Sequence, residues 1–205
     1  MMRVIAIGIP LLVAIASYHA LAMNNYEDPR VVLSYMDKSL DGSRDILRLT
    51  TAVDGNTHLV FEVKTRAEHR DPQPGDYVLL EISQGQSHQL LVSIDPELGD
   101  DVLVYEQDLA PGGSIRSLAE SSLKAGSREG VFSVRRVPRG VEFLVPLDWI
   151  DYREKIAFDA FTIRGQRSGA SFRVAEIYDQ AGKGQKERRL FSPITLLNNL
   201  CATRK

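Results

Sequence analysis

TTAVDGNTHLVFEVKTR, residues Thr50 to Arg66, alternates apolar and polar positions on either side of Asp54-Gly55-Asn56. Alternation with a period of two is the mark of a half-buried strand, and Asp-Gly between two such runs marks a hairpin. A two-residue Asp54-Gly55 loop sets Leu49 opposite Val60 and Leu47 opposite Glu62, which scatters the apolar residues. A three-residue loop of Asp54, Gly55 and Asn56 pairs Val53 with Thr57, Thr51 with Leu59, Leu49 with Phe61 and Leu47 with Val63, and one face becomes apolar. This register sets Arg48 opposite Glu62 and Asn56 in the left-handed region. It predicts a solvent face of Arg48, Thr50, His58, Val60, Glu62 and Lys64.

The same signal recurs along the chain. Val31–Met36, Asp76–Ser83, Gln89–Asp95 and Val102–Glu106 are short, rich in β-branched or aromatic residues, and bounded by Gly, Pro, Asp or Asn. Val131–Val137 and Val141–Leu147 flank Pro138-Arg139-Gly140, and a three-residue loop there sets Arg136 opposite Glu142 and Val134 opposite Leu144. Ile156–Ile163 and Ala170–Tyr178, joined by the loop Arg164–Gly169, complete a set of about ten strands. Frequent turns between short strands argue for an antiparallel sandwich or barrel, and the sandwich is the fold expected.

Two segments carry helix signals. Ser114–Lys124 has a capping serine, apolar Ile115, Leu118 and Leu123, and Gly126 as a stop. Ser192-Pro193 followed by Ile194, Leu196, Leu197 and Leu200 predicts a capped C-terminal helix docked on the sandwich. The polar run Gln180–Arg189, QAGKGQKERR, is expected to be a loop.

At the amino terminus, Arg3, the apolar run Val4–Ala16 and the triplet Ala20-Leu21-Ala22 have the layout of a secretory signal peptide. Residues 1–22 are therefore expected to be removed, leaving 23–205 as one domain bound for the periplasm or secretion. The apolar run is shorter than the roughly 20 residues a spanning helix needs, so an integral membrane protein is not expected. The formal net charge of −2 gives no footprint for nucleic-acid binding. The single cysteine, Cys201, excludes a scaffold stapled by internal disulfides, so stability has to come from the core.

Catalytic signatures such as G-x-S-x-G, H-E-x-x-H and C-x-x-C are absent from the sequence, which leans away from an enzyme. AGKGQK lacks the spacing of a phosphate loop. His58, His69 and His88 are too widely spaced to form a local zinc motif. Asp95, Glu97, Asp100 and Asp101 in IDPELGDD form an acidic loop of the kind that supplies oxygen ligands to a structural calcium, although Asp and Gly are also what tight turns use. Trp149 and Tyr152 in VPLDWIDY, with Tyr77 and Tyr105 on strands, are the flat rings on which a sugar ring can stack.

The order SLDGSRD, TTAVDGNTHLVFEVKTR, GDYVLLEIS, VEFLVPLDWID and IAFDAFTIR, over about Leu40–Tyr178, resembles the DOMON-like and family 9 carbohydrate-binding-module-like β-sandwiches. The resemblance implies a domain that binds sugar or haem without chemistry of its own. It departs from the sugar-binding pattern in having no tryptophan after SLDGSRD and no second tryptophan for a clamp. For haem it implies a methionine and histidine pair, which here means Met36 with His58, His69 or His88. The expectation is an exported domain that binds a carbohydrate or cell-envelope polysaccharide through Trp149, Tyr152, Tyr77 and Tyr105. The alternatives are a haem-binding electron-transfer domain and a structural partner in an envelope protein complex, the latter docking through the Arg48, His58, Val60 and Glu62 face.

Overall fold

A computed structural model describes residues 28–68, 73–107, 122–125, 132–169, 171–183 and 189–197. The fold is all-β and antiparallel, a two-layer sandwich in which the described residues form eleven strands and one short α-helix. The first layer is a five-stranded sheet. Its strands are β1 (Val31–Leu33), β2 (Ile46–Asp54), β3 (His58–Thr65), β8 (Ser133–Val137) and β9 (Gly140–Pro146), in the order β1-β2-β3-β9-β8. The second layer comprises β4 (Asp76–Gln84), β5 (Gln86–Ser93), β6 (Leu103–Gln107), β7 (Ser122–Ala125), β10 (Ala157–Ser168) and β11 (Ser171–Gln180). It curls until β10 pairs with β4, closing the ring β10-β11-β7-β6-β5-β4.

Closure explains why β4 and β5 are buried nearly end to end instead of alternating. Val78, Leu80, Ile82, Leu90, Val92 and Ile94 face the first sheet and meet Leu49, Leu59, Phe61, Val63, Phe143 and Val145 in the main core. The residues of opposite parity, Leu79 and Leu91, point into the barrel lumen with Tyr105, Phe161, Ile163, Phe172 and Val174. Two apolar faces on one strand therefore serve two cores.

The opening hairpin keeps the expected faces but not the expected step. Asp54 pairs with His58, Val53 with Leu59, Thr51 with Phe61 and Leu49 with Val63, so the three-residue loop is Gly55-Asn56-Thr57. Gly55 and Asn56 both take positive φ, 55° and 60°, as the primed turns of hairpins require, and the Thr57 amide donates to the Asp54 carbonyl. Because the shift preserves parity, Leu49, Thr51, Leu59, Phe61 and Val63 stay inward. Arg48 sits opposite Lys64 and reaches Glu62 diagonally at 3.6 Å. Val60, expected to meet solvent, is only 5% exposed, set between Ala52 and Leu144 on neighbouring strands.

The second hairpin corrects its expected register by one residue, which reverses the faces. Its loop is Pro138-Arg139, with Arg139 at φ 56°, and Gly140 belongs to β9. Glycine is needed in that strand because a Cβ would overlap the Val63 carbonyl oxygen of β3. Arg135, not Arg136, lies opposite Glu142, and Val134 lies opposite Phe143.

Of the expected helix at Ser114–Lys124, residues 114–121 lie outside the described residues. Ser122–Lys124 belongs instead to β7, held between β6 and β11. The C-terminal helix is present as α1 (Pro193–Leu197), with Leu196 fully buried in the main core. It is preceded by a reciprocal backbone bridge between Ile156 and Phe191, both bonds 2.8 Å, which fastens this segment to the start of β10. β10 itself runs on to Ser168, through most of the segment Arg164–Gly169 expected to be a loop.

Candidate functional site

Three polar constellations stand out, at the two ends of the sandwich and inside the barrel. The first surrounds the starts of β2 and β4. Asp45, fully buried, accepts from the Asp37 amide and pairs with Arg66 at 2.8 Å and Lys183 at 3.4 Å. Asp179 accepts from the Ile46 amide and pairs with Lys183 at 2.8 Å. Asp76 pairs with Arg44 at 2.8 Å and Arg164 at 3.4 Å and accepts from the Tyr178 hydroxyl at 2.8 Å. Both guanidiniums lie against the Tyr178 ring, 4.2 Å and 5.5 Å from its centroid. Burial and the hydrogen bond to Asp76 push the Tyr178 phenol up to about 12. Each carboxylate here is already answered by cations, so the cluster ties the SLDGSRD loop to β10 and β11.

The second constellation is the rim at the opposite end. β9 leaves the first sheet through a tight turn, Leu147–Trp149, and the chain crosses to β10 by way of Asp151–Lys155. Gln84 at the end of β4 clamps this crossing from both sides: its amide donates to the Asp151 carbonyl at 2.9 Å and accepts from the Asp151 amide at 3.2 Å. Tyr152 is 41% exposed, and its hydroxyl donates to the Leu147 carbonyl at 3.2 Å. Trp149 is half-buried, edge-on to His88 and Phe132 at 5.0 and 5.1 Å. Asp151 receives both the amide and the guanidinium of Arg153, and that side-chain hydrogen bond holds its carboxyl below the ordinary value.

The third lies in the lumen. Glu81 and Asp159 are direct partners on β4 and β10, and Gln89 is the partner of Glu81 on β5. All three share the parity of Leu79, Leu91 and Phe161, so they point inward. Ser87 donates to Glu81 at 2.6 Å, Gln89 donates to Ser87 at 3.2 Å, and Gln180 donates to Asp159. No donor among the described residues reaches Gln89 Oε1. Sequence reasoning missed this cluster; the signal that could have found it is the pair of double-apolar runs, Leu79-Leu80 and Leu90-Leu91-Val92, which mark strands buried on both faces.

The residues read from the sequence fall in different places. Trp149 and Tyr152 share the rim, whereas Tyr77 and Tyr105 are in the lumen, both against Phe172, with ring centroids 5.0 and 5.7 Å away. In the acidic loop, Asp95 caps the short turn Pro96–Leu98 by accepting from the Glu97 amide, and Asp100 pairs with Arg136 at 2.7 Å. Glu97 and Asp101 are exposed. Among the described residues no three His, Cys, Asp or Glu side chains gather as a metal set.

Met36 precedes Asp37, which bonds Asp45 at the start of β2, while His58 pairs with Asp54 at its end. Nine residues of strand at about 3.3 Å each separate the two by roughly 30 Å. His88 packs edge-on against Trp149 at the His58 end, so Met36 meets neither histidine; His69 lies outside the described residues. On the outer face of the first sheet, Glu62 is engaged by Arg48, Lys64 and Thr50. Among the described residues no helix is long and apolar enough to cross a membrane. No protein-family model, curated protein or solved structure matches this chain.

Proposed function

We propose that this chain is an exported, non-catalytic binding domain for a carbohydrate or another polyhydroxylated component of the cell envelope, and that the ligand lies on the rim at Tyr152 and Trp149. The observation that carries this reading is the exposed Tyr152 ring, fixed at its hydroxyl by the Leu147 carbonyl, with the backbone of the preceding residue, Asp151, clamped by Gln84. A flat ring held in place before binding loses little conformational freedom when a sugar face stacks on it. Asp148 and the Asp151–Arg153 pair beside it offer acceptors and donors to ring hydroxyls. This is also the ligand class that the resemblance to family 9 carbohydrate-binding-module-like domains implies. The opposed carboxylates Glu81 and Asp159 do not favour glycoside hydrolysis, because they are buried where a polysaccharide chain has no access.

The test uses Trp149, the only tryptophan, as a reporter at the rim. Titration of the exported protein with a panel of oligosaccharides should change tryptophan emission and raise the unfolding temperature saturably. Tyr152→Ala should abolish both effects while leaving the unfolding temperature of the free protein nearly unchanged. Binding undiminished in Tyr152→Ala, or silence across the panel, defeats the reading.

A further inference from the structure

We propose that the Asp54–Gly55 step is a modification site, at which the chain converts spontaneously to isoaspartate, and that the conversion alters the geometry of the rim. The sequence contains two Asp-Gly steps, Asp41–Gly42 and Asp54–Gly55. The reaction needs a side-chain carboxyl free to turn onto the next amide, and a next residue too small to block the attack. Glycine has no Cβ, so both steps meet the second condition. The first condition separates them.

The Asp54 side chain is 48% exposed, and its contact is with Arg135 Nη1 at 3.4 Å, a half-exposed pair that holds a carboxylate weakly. Gly55 stands in open space, with Thr57 Oγ1, 3.8 Å from where a Cβ would lie, as its nearest neighbour beyond the adjoining residues. Asp41 is tied down instead. Its Oδ1 accepts from the hydroxyl and the amide of Ser43, and those bonds hold the carboxyl below its ordinary value, so the protonated form that can lose water is scarce. The Asp41 carbonyl accepts from the Arg44 and Asp45 amides, and Gly42 is packed on Ala67, whose amide donates to the Gly42 carbonyl at 2.8 Å.

The chemistry balances with water as the only co-reactant. The Gly55 amide nitrogen attacks Asp54 Cγ, a Cγ–O bond breaks, and one water leaves with the amide proton, which closes a five-membered succinimide ring. Water then adds at either ring carbonyl. Opening at Cγ restores aspartate, while opening at the backbone carbon leaves the chain running through Cβ and Cγ, with no net change in mass.

The rim is reached through the backbone. In the isoaspartyl chain the former Asp54 carbonyl, which accepts from the Thr57 amide at 3.1 Å, becomes a carboxylate outside the main chain, and the turn is one carbon longer. The Thr57 carbonyl accepts from the Leu147 amide at 2.9 Å, and the Leu147 carbonyl accepts from the Tyr152 hydroxyl. Lengthening the hairpin turn therefore displaces a support of the turn Leu147–Trp149. This holds whatever the rim binds.

The experiment keeps the exported protein folded at mildly acidic pH for weeks, beside a sample in guanidinium chloride, and maps tryptic peptides by mass and retention time. Ser39–Arg44 and Leu49–Lys64 carry one Asp-Gly step each. In the folded sample a second form of Leu49–Lys64, equal in mass and different in retention, should accumulate at least about tenfold faster than one of Ser39–Arg44, since releasing Asp41 breaks two hydrogen bonds. In denaturant the two rates should converge. Asp54→Glu keeps the charge beside Arg135 but would have to close a six-membered ring, and should stop the conversion. Trp149 emission should drift as the wild type ages and stay constant in that variant. Equal rates in the folded sample, or no new form of Leu49–Lys64, overturn the assignment. Conversion with unchanged emission overturns the link to the rim.

Discussion

Arg135 and Arg136, adjacent on β8, serve opposite faces of the first sheet. Arg135 turns outward to Glu142 at 2.5 Å, while Arg136 turns inward and joins the two layers. Its guanidinium donates to Asp100 at 2.7 Å and to the carbonyls of Ile94, Ser93 and Gly99 at 3.2, 3.1 and 3.0 Å. Those acceptors lie at the end of β5 and in its connection to β6. One side chain therefore satisfies the backbone of a loop in the other layer.

Unequal costs follow for the two arginines. Arg136→Ala should destabilise the fold by about 2 kcal/mol, since several charge-assisted hydrogen bonds disappear and carbonyls lose their donor. Arg135→Ala removes a half-exposed surface pair and should cost under about 1 kcal/mol. Urea unfolding of the two variants checks this, and equal midpoints would show that the interlayer tie contributes nothing.

Alkaline pH should act through Tyr178. Its phenol is pushed up to about 12, so the folded state holds that proton more tightly than the unfolded chain, whose tyrosines ionise near 10. Stabilisation from this group is complete below about pH 10 and is lost as pH rises towards about 12. Tyrosinate absorbance should reveal one phenol that ionises late, missing in Tyr178→Phe. If that variant loses an early-ionising phenol instead, Asp76 and burial do not control Tyr178 as described.

How much of this was legible in the sequence depended on which residues carried the information. Alternation located the strands of the first sheet, and parity put Leu49, Phe61 and Val63 on the core side even though the hairpin step was off by one pair. Turn chemistry was less transparent. Asn56 was expected at positive φ, but Arg139 was not, and reading Gly140 as the loop residue moved Glu142 opposite the wrong arginine. Gly140 answers to the nearness of Val63, a contact between strands far apart in the chain. Ser122–Lys124 read as the end of a helix because its propensities are indifferent, and pairing with β6 and β11 decided it. The double-apolar runs mark β4 and β5 as buried on both faces, but the barrel that covers Glu81 and Gln89 arises from long-range pairing of β10 with β4, which no local pattern announces.

Inside the lumen, Gly165 and Phe172 form a lock. A Cβ on Gly165 would run into the Phe172 ring and stand 2.7 Å from the Arg173 carbonyl oxygen, while the ring itself is fully buried against Tyr77 and Tyr105. Gly165→Ala should therefore cost more than about 2 kcal/mol by displacing the ring, and Phe172→Ala about 3–5 kcal/mol by leaving a cavity. Combined in one chain the two should cost less than their sum, because without the ring the new methyl group meets less obstruction. Strict additivity in a double-mutant cycle would contradict the lock.

Asp45 should be among the least replaceable polar residues. Its carboxylate is fully buried, lies 2.8 Å from Arg66 Nε and 3.4 Å from Lys183 Nζ, and accepts from the Asp37 amide. Asp45→Ala leaves these donors facing an empty place in a part-buried setting, and loss of one partner from such a cluster costs about 3–5 kcal/mol. Asp45→Asn keeps an acceptor for the Asp37 amide and should cost less, while still losing the charge that Arg66 and Lys183 share. The effect should also be local, because Asp45 anchors the Asp37–Arg44 loop through that amide. Hydrogen exchange should quicken at the Asp37 amide in both variants, and more in Asp45→Ala, with the Leu59 and Phe61 amides of β3 keeping their relative order of protection. Uniform loss of protection across both regions would mean that Asp45 supports global stability without holding the loop in place.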